Sequence, residues 1–87
     1  MKVKLKKEEF DYLNYSLLAG NEDLYSKLQL SVRGTLFLID VSDDIVDDLH
    51  EWAMEELQRN GFDINYDLTY EGKILQGLVD RLYSADN

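Results

Sequence analysis

Between Asp40 and Glu56 the chain reads DVSDDIVDDLHEWAMEE, and this stretch restricts the possible folds more than any other. Ile45, Val46, Leu49, Trp52, Ala53 and then Leu57 recur at steps of three and four, the signature of one amphipathic helix. Such a helix has to bury its apolar stripe against another element. Ser42 stands where an N-cap belongs, with a hydroxyl able to accept from free first-turn amides. Asp43 and Asp44 then face the positive end of the helix dipole. That leaves Asp47, Asp48, Glu51 and Glu55 without a folding reason. The pairs 44/48, 47/51 and 51/55 are like charges four residues apart, each costing a few tenths of a kcal/mol, about 0.2–0.5. The segment holds eight carboxylates and no Lys or Arg. A surface made to meet something positive is the reading that accounts for them.

The rest of the charge sharpens this. Residues 40–71 hold eleven of the chain's 18 acids against Arg59 alone, whereas residues 1–39 carry six bases and five acids. With a net charge of −9, phosphate-mediated binding of nucleic acid is disfavoured, and a basic protein surface is the favoured counterpart. Lys2, Lys4, Lys6 and Lys7 open the chain, but Glu8, Glu9 and Asp11 follow at once. The lysines read as a solvated strand edge that discourages edge-to-edge pairing.

The 87 residues amount to one domain, 1–87, with enough apolar content for a core. No Cys is present, so neither disulfides nor thiolate chemistry is available. The longest apolar run, Leu36 to Ile39, is four residues, too short for a membrane span or signal-peptide core. No membrane association is expected, and the expected location is the cytoplasm.

Periodicity orders the remaining elements. Val3 and Leu5 alternate with Lys2 and Lys4 as in a short strand. Lys7 to Ala19 reads as a helix with Phe10, Leu13 and Leu17 inside and Leu18 beside them, stopped at Gly20. Tyr12 and Tyr15 fall on its flank. Asn21 can cap a further turn carrying Leu24, Tyr25 and Leu28. Leu28 to Val32 is either a strand paired through an Arg33-Gly34 turn or the tail of that helix. Thr35 to Val41 reads as a strand, so apolar that burial on both faces is expected. After the acidic helix, Asn60-Gly61-Phe62 is a stop, with Gly61 expected left-handed and Phe62 folded back on the last turn. Phe62 to Leu68 is a short extended piece or a loop. Thr69 can cap a final helix whose apolar face is Ile74, Leu75, Leu78, Val79 and Leu82. Gly72 and Gly77 weaken that helix and are expected to admit a close neighbour. The expected class is α+β: a small sheet of two to three strands packed with three to four helices.

Chemistry finds little support in these residues. Asp40 to Glu51 has the length of a calcium loop, but its sixth position, which needs a sharp turn, is Ile45. Asp47, His50 and Glu51 have i, i+3, i+4 spacing for weak metal binding, yet one helix offers only three ligands and no second His exists. No nucleophile elbow or phosphate loop is present, and the crowded acids lack the apolar pocket that acid–base work requires. The expectation is a non-enzyme with no catalytic residues, no metal site and no cofactor.

What remains is acids interleaved with aromatics. Trp52 and Phe62 read as core; Tyr66 and Tyr70 divide evenly between core and surface. The expected partner-binding residues are Asp43, Asp44, Asp47, Asp48, Glu51, Glu55, Asp63, Tyr66, Asp67 and Tyr70, on one continuous acidic face edged by tyrosines. The segments LFLIDVSDDIVDDLHEWAMEEL and GFDINYDLTYEGKILQGLVDRLY together resemble the C-terminal half of small acidic bacterial proteins of toxin-immunity and mobile-element neighbourhoods. The resemblance implies an inhibitor whose carboxylates cover the basic active site of a toxic enzyme. A mimic of nucleic acid occupying a basic groove belongs to the same class. Two other readings stand beside it: a homodimeric structural module joined through its terminal helices, and a metal-dependent enzyme using His50.

Overall fold

A computed structural model describes residues 2–86 of the chain. Strand β1 (Lys2–Leu5) leads into helix α1 (Lys7–Tyr12), a wide π-helical turn (Leu13–Leu17) and the short helices α2 (Leu18–Gly20) and α3 (Glu22–Ser26). Strands β2 (Gln29–Arg33) and β3 (Leu36–Asp40) form a hairpin, and helices α4 (Asp43–Asn60) and α5 (Tyr70–Asp86) complete the chain. The sheet is antiparallel, in the order β1-β3-β2, so the fold is α+β as expected.

Segment 29–33 takes the strand alternative, turning through Gly34 at a φ of 60°. Val3 and Leu30 lie opposite Ile39, and Leu5 and Val32 opposite Phe37, which puts these side chains on one face. Lys4 and Ser31 flank Leu38 on the other. Burial follows this division except at Val32, which is exposed near the hairpin turn: Val3, Leu5 and Ile39 are in the core, whereas Lys2, Lys4, Ser31 and Leu36 are exposed and Leu38 is half-buried. The expectation that β3 is buried on both faces fails, because the helices cover only the inner side. Local hydrophobicity does not reveal how many layers a domain has.

One core joins the elements: Phe10, Leu13 and Leu17, the strand residues, Val46, Leu49, Trp52 and Ala53 of α4, and Leu75, Leu78 and Leu82 of α5. The wide turn at 13–17 rotates Leu13 and Leu17 fully inward and leaves Leu18 outside, a departure from the plain helix expected there. Asn21 does cap α3, its Oδ1 accepting from the Leu24 amide at 3.1 Å.

The close packing of α4 on α5 depends on a glycine contact where the pair is joined. A Cβ on Gly72 would run into the Gly61 carbonyl, and one on Gly77 would meet the Glu9 carboxylate. Both glycines thus admit a neighbour, as expected of them. Gly61 itself is not left-handed; it ends α4 at φ −86° with its amide bonded to the Leu57 carbonyl. Ser42 is the N-cap residue of α4, but its carbonyl, not its hydroxyl, makes the capping contacts, accepting from the Ile45 and Val46 amides. Thr69 caps α5 with its hydroxyl, accepting from the Gly72 amide at 2.9 Å.

Candidate functional site

At 3.6 residues per turn, Asp43, Asp44, Asp47, Asp48, Glu51 and Glu55 fall within one arc of about 140° on α4. All six are exposed, opposite the stripe of Val46, Leu49 and Ala53 that enters the core. The apolar spacing that builds the helix therefore also aligns the acids. Among the described residues, the ion pairs are Lys7–Asp11, Lys27–Asp23, Arg59–Glu56 and Arg81–Glu9. None reaches the six carboxylates. Arg59, the one base in this part of the chain, turns to Glu56 at 3.3 Å and leaves Glu55 unneutralised. Beside α3, the residues Asp48, Glu51 and Glu55 border a shallow cleft of about 270 Å³, whose Lys27 is engaged by Asp23.

The second group of expected residues lies elsewhere. Helix α4 has 18 residues and so spans about 27 Å, which puts Asp43 and Asp63 at opposite ends. Between Glu55 and the loop, the outward positions are Gln58 and Arg59. The expected residues thus divide between a helix face and a loop at its far end, with Gln58 and Arg59 between them. Residues 62–68 are a loop closed by one bridge between Phe62 and Leu68. The Asp63 carboxylate accepts from the Asn65 and Asp67 amides at 2.8 and 3.1 Å, and the Asp63 amide donates to the Asp67 carbonyl. This lattice holds Tyr66 at φ 64°, a conformation costing a side-chain-bearing residue about 1–2 kcal/mol. It also leaves Ile64 94% and Tyr66 86% exposed. Phe62, expected in the core, is exposed too. Ile64 was not among the expected site residues, since nothing in an alternating FDINYDL tells which side meets solvent.

Tyr70 belongs to a third place. It is exposed at the start of α5 and, with Tyr12, Tyr15 and Ile74, lines a groove of about 390 Å³ against α1. Inside that seam the Tyr12 hydroxyl donates to the Glu71 carboxylate at 2.5 Å, and the Tyr12 ring lies 6.1 Å from that of Trp52. Burial, and then the Glu71 carboxylate, push the Tyr12 phenol well above its ordinary value. Trp52 is in the core.

His50 is half-buried, its ring 6.4 Å from that of Tyr83 on α5. Among the described residues no group of three or more His, Asp or Glu side chains is arranged to hold a metal ion. What the α4 face can do chemically is present charge: its six carboxylates are exposed, and the cleft that three of them border is open. Among the described residues, no helix is long and apolar enough to cross a membrane.

The fold and surface define an α+β protein with an acidic helix face that has no ion-pair partner among the described residues. No protein-family model matches the chain, and comparison with curated proteins and with solved structures gives no match.

Proposed function

We propose that the chain is a non-enzymatic binding protein whose α4 face covers a basic surface on another protein, as an immunity protein does for a nuclease-like toxin or a nucleic-acid mimic does for a basic groove. One observation carries the reading: six exposed carboxylates share one side of α4 and none has an ion-pair partner among the described residues. Their spacing opposes helix stability, so a counter-charge outside the chain is the physical reason for the pattern. An enzyme that binds phosphates has to present cations, which makes it a suitable counterpart. Opposite fields would raise capture rates toward about 10⁸ M⁻¹s⁻¹ at low salt. Asp63, Tyr66 and Asp67 form a second contact, in which the preorganised loop offers Ile64 and Tyr66 as apolar anchors at low ordering cost. The homodimeric reading has less support, since Leu75, Leu78 and Leu82 of α5 are wholly buried within the chain itself.

The test is affinity capture from the native host by the wild-type protein and by an Asp44→Lys/Asp47→Lys/Glu51→Lys variant. The expected result is a basic partner held by the wild type, absent with the variant, and released between about 50 and about 500 mM salt. A partner retained equally by both proteins, at either salt concentration, would rule the α4 face out.

A further inference from the structure

A groove of about 600 Å³ lies away from the acidic side, between the outer edge of β1 and the flank of α5, lined among others by Lys2, Lys4, Lys6, Asp80 and Arg81. In a chain of net charge −9, four cations meet here, with Asp80 on the border and Glu9 paired to Arg81. Two of the acids that follow the lysines in sequence are already engaged. Asp11 pairs with Lys7, and Glu9 is 3% exposed, accepting from the Lys6 amide at 2.9 Å and from Arg81 Nε at 2.6 Å. Glu9 therefore fixes the Arg81 guanidinium in place and occupies one of its five donors. Among the described residues, the Arg81 Nη groups have no hydrogen-bond partner, and Lys2, Lys4 and Lys6 have no carboxylate within ion-pair distance.

One side of this groove is the edge of β1. Among the described residues β1 pairs with β3 alone, so alternate residues of β1 point their N–H and C=O groups outward, unpaired. An extended segment laid along that edge would complete the ladder. Side chains on one of its faces would stand beside Lys2 and Lys4, and those on the other would approach Arg81. Lysines on an edge discourage pairing between two copies, since alternate ladder positions would set ammonium against ammonium. The same lysines favour a strand of opposite charge. Exclusion of self and selection of an acidic partner thus follow from one arrangement.

We propose that the β1 edge is a β-augmentation site for an extended acidic peptide segment, with Lys2 and Lys4 reading carboxylates on its outer face and the Glu9-anchored Arg81 reading one on its inner face. Main-chain bonds to β1 supply register and the cations supply selectivity. This site is independent of the α4 reading and takes a ligand of the opposite sign.

The probe is a capped, fluorescein-labelled peptide alternating valine and glutamate, titrated into the intact protein by anisotropy and by amide-shift mapping. The expected result is shifts confined to β1 and the facing residues of α5, with affinity at least about tenfold weaker for Lys2→Glu/Lys4→Glu, each substitution being at an exposed position. N-methylation of alternate peptide amides is expected to abolish binding. Equal affinity for the methylated peptide would reduce the site to diffuse electrostatics and overturn the proposal. So would equal affinity for the double variant, stronger binding of a DNA oligonucleotide, or lysine-dependent self-association of the wild type without peptide.

Discussion

Carboxylates in two regions of this protein have opposite uses. In the seam between α1 and α5, Glu9 and Glu71 are each gripped by a side chain distant in sequence, Arg81 and Tyr12. On the outer face of α4, six carboxylates have no partner among the described residues. The seam acids hold helices together, and removing a partner there leaves a buried charge unsatisfied. The α4 acids hold nothing together, and their mutual repulsion sets a small cost against the helix. The same residue types are therefore structural where a partner is built for them and exposed charge where none is.

This contrast predicts changes of opposite sign. The largest is at the seam: Arg81→Met strands the Glu9 carboxylate and is expected to lower unfolding free energy by about 2–3 kcal/mol, discounted for the partial exposure of Arg81. Urea denaturation measures this, and a loss below half a kcal/mol would show that the pair is not a structural bond. Next comes the alkaline limb of stability. Folding raises the Tyr12 pKa above its ordinary 10.0, so above that pH the unfolded chain releases a proton that the native chain keeps. The stabilisation is complete below pH 10 and is lost as pH rises further, with a slope approaching about 1.4 kcal/mol per pH unit. Tyr12→Phe is expected to flatten that limb in melts run above pH 10; an unchanged slope would place its origin elsewhere. The smallest effect is on α4. Asp47→Lys places a cation between Asp43 and Glu51 and is expected to stabilise the protein by about 0.5–1 kcal/mol. Added salt should raise the wild-type Tm and move that of the variant less. Destabilisation by Asp47→Lys would mean that the α4 face has an intramolecular role, and the contrast between the regions would collapse.

The residues reveal the two regions to different degrees. The α4 face was legible because one period specifies both sides of a helix: wherever Val46, Leu49 and Ala53 go inward, Asp44, Asp47 and Glu51 go outward. The caps Asn21 and Thr69 were legible for the same reason, each acting within three residues of itself. The seam was not. Glu9 and Arg81 are 72 positions apart, and Glu9 passes in sequence for an ordinary first-turn acid. Phe62, read as core, and Ile64, not singled out, lie in a loop whose shape depends on Asp63 bonding its own backbone, for which alternation carries no signal. The uncovered face of β3 escaped notice because four consecutive apolar residues look alike whether one layer or two packs against them.

Local spacing, then, determined the elements, the position of α4's buried stripe and the alignment of its acids, since neighbours three or four residues apart meet through helix geometry alone. Tertiary structure decided which acids acquire partners, which face of the sheet stays bare, and that β1's cations border an open edge. Those outcomes depend on groups brought together across the whole chain, where burial and Coulomb attraction act between residues that no local period connects.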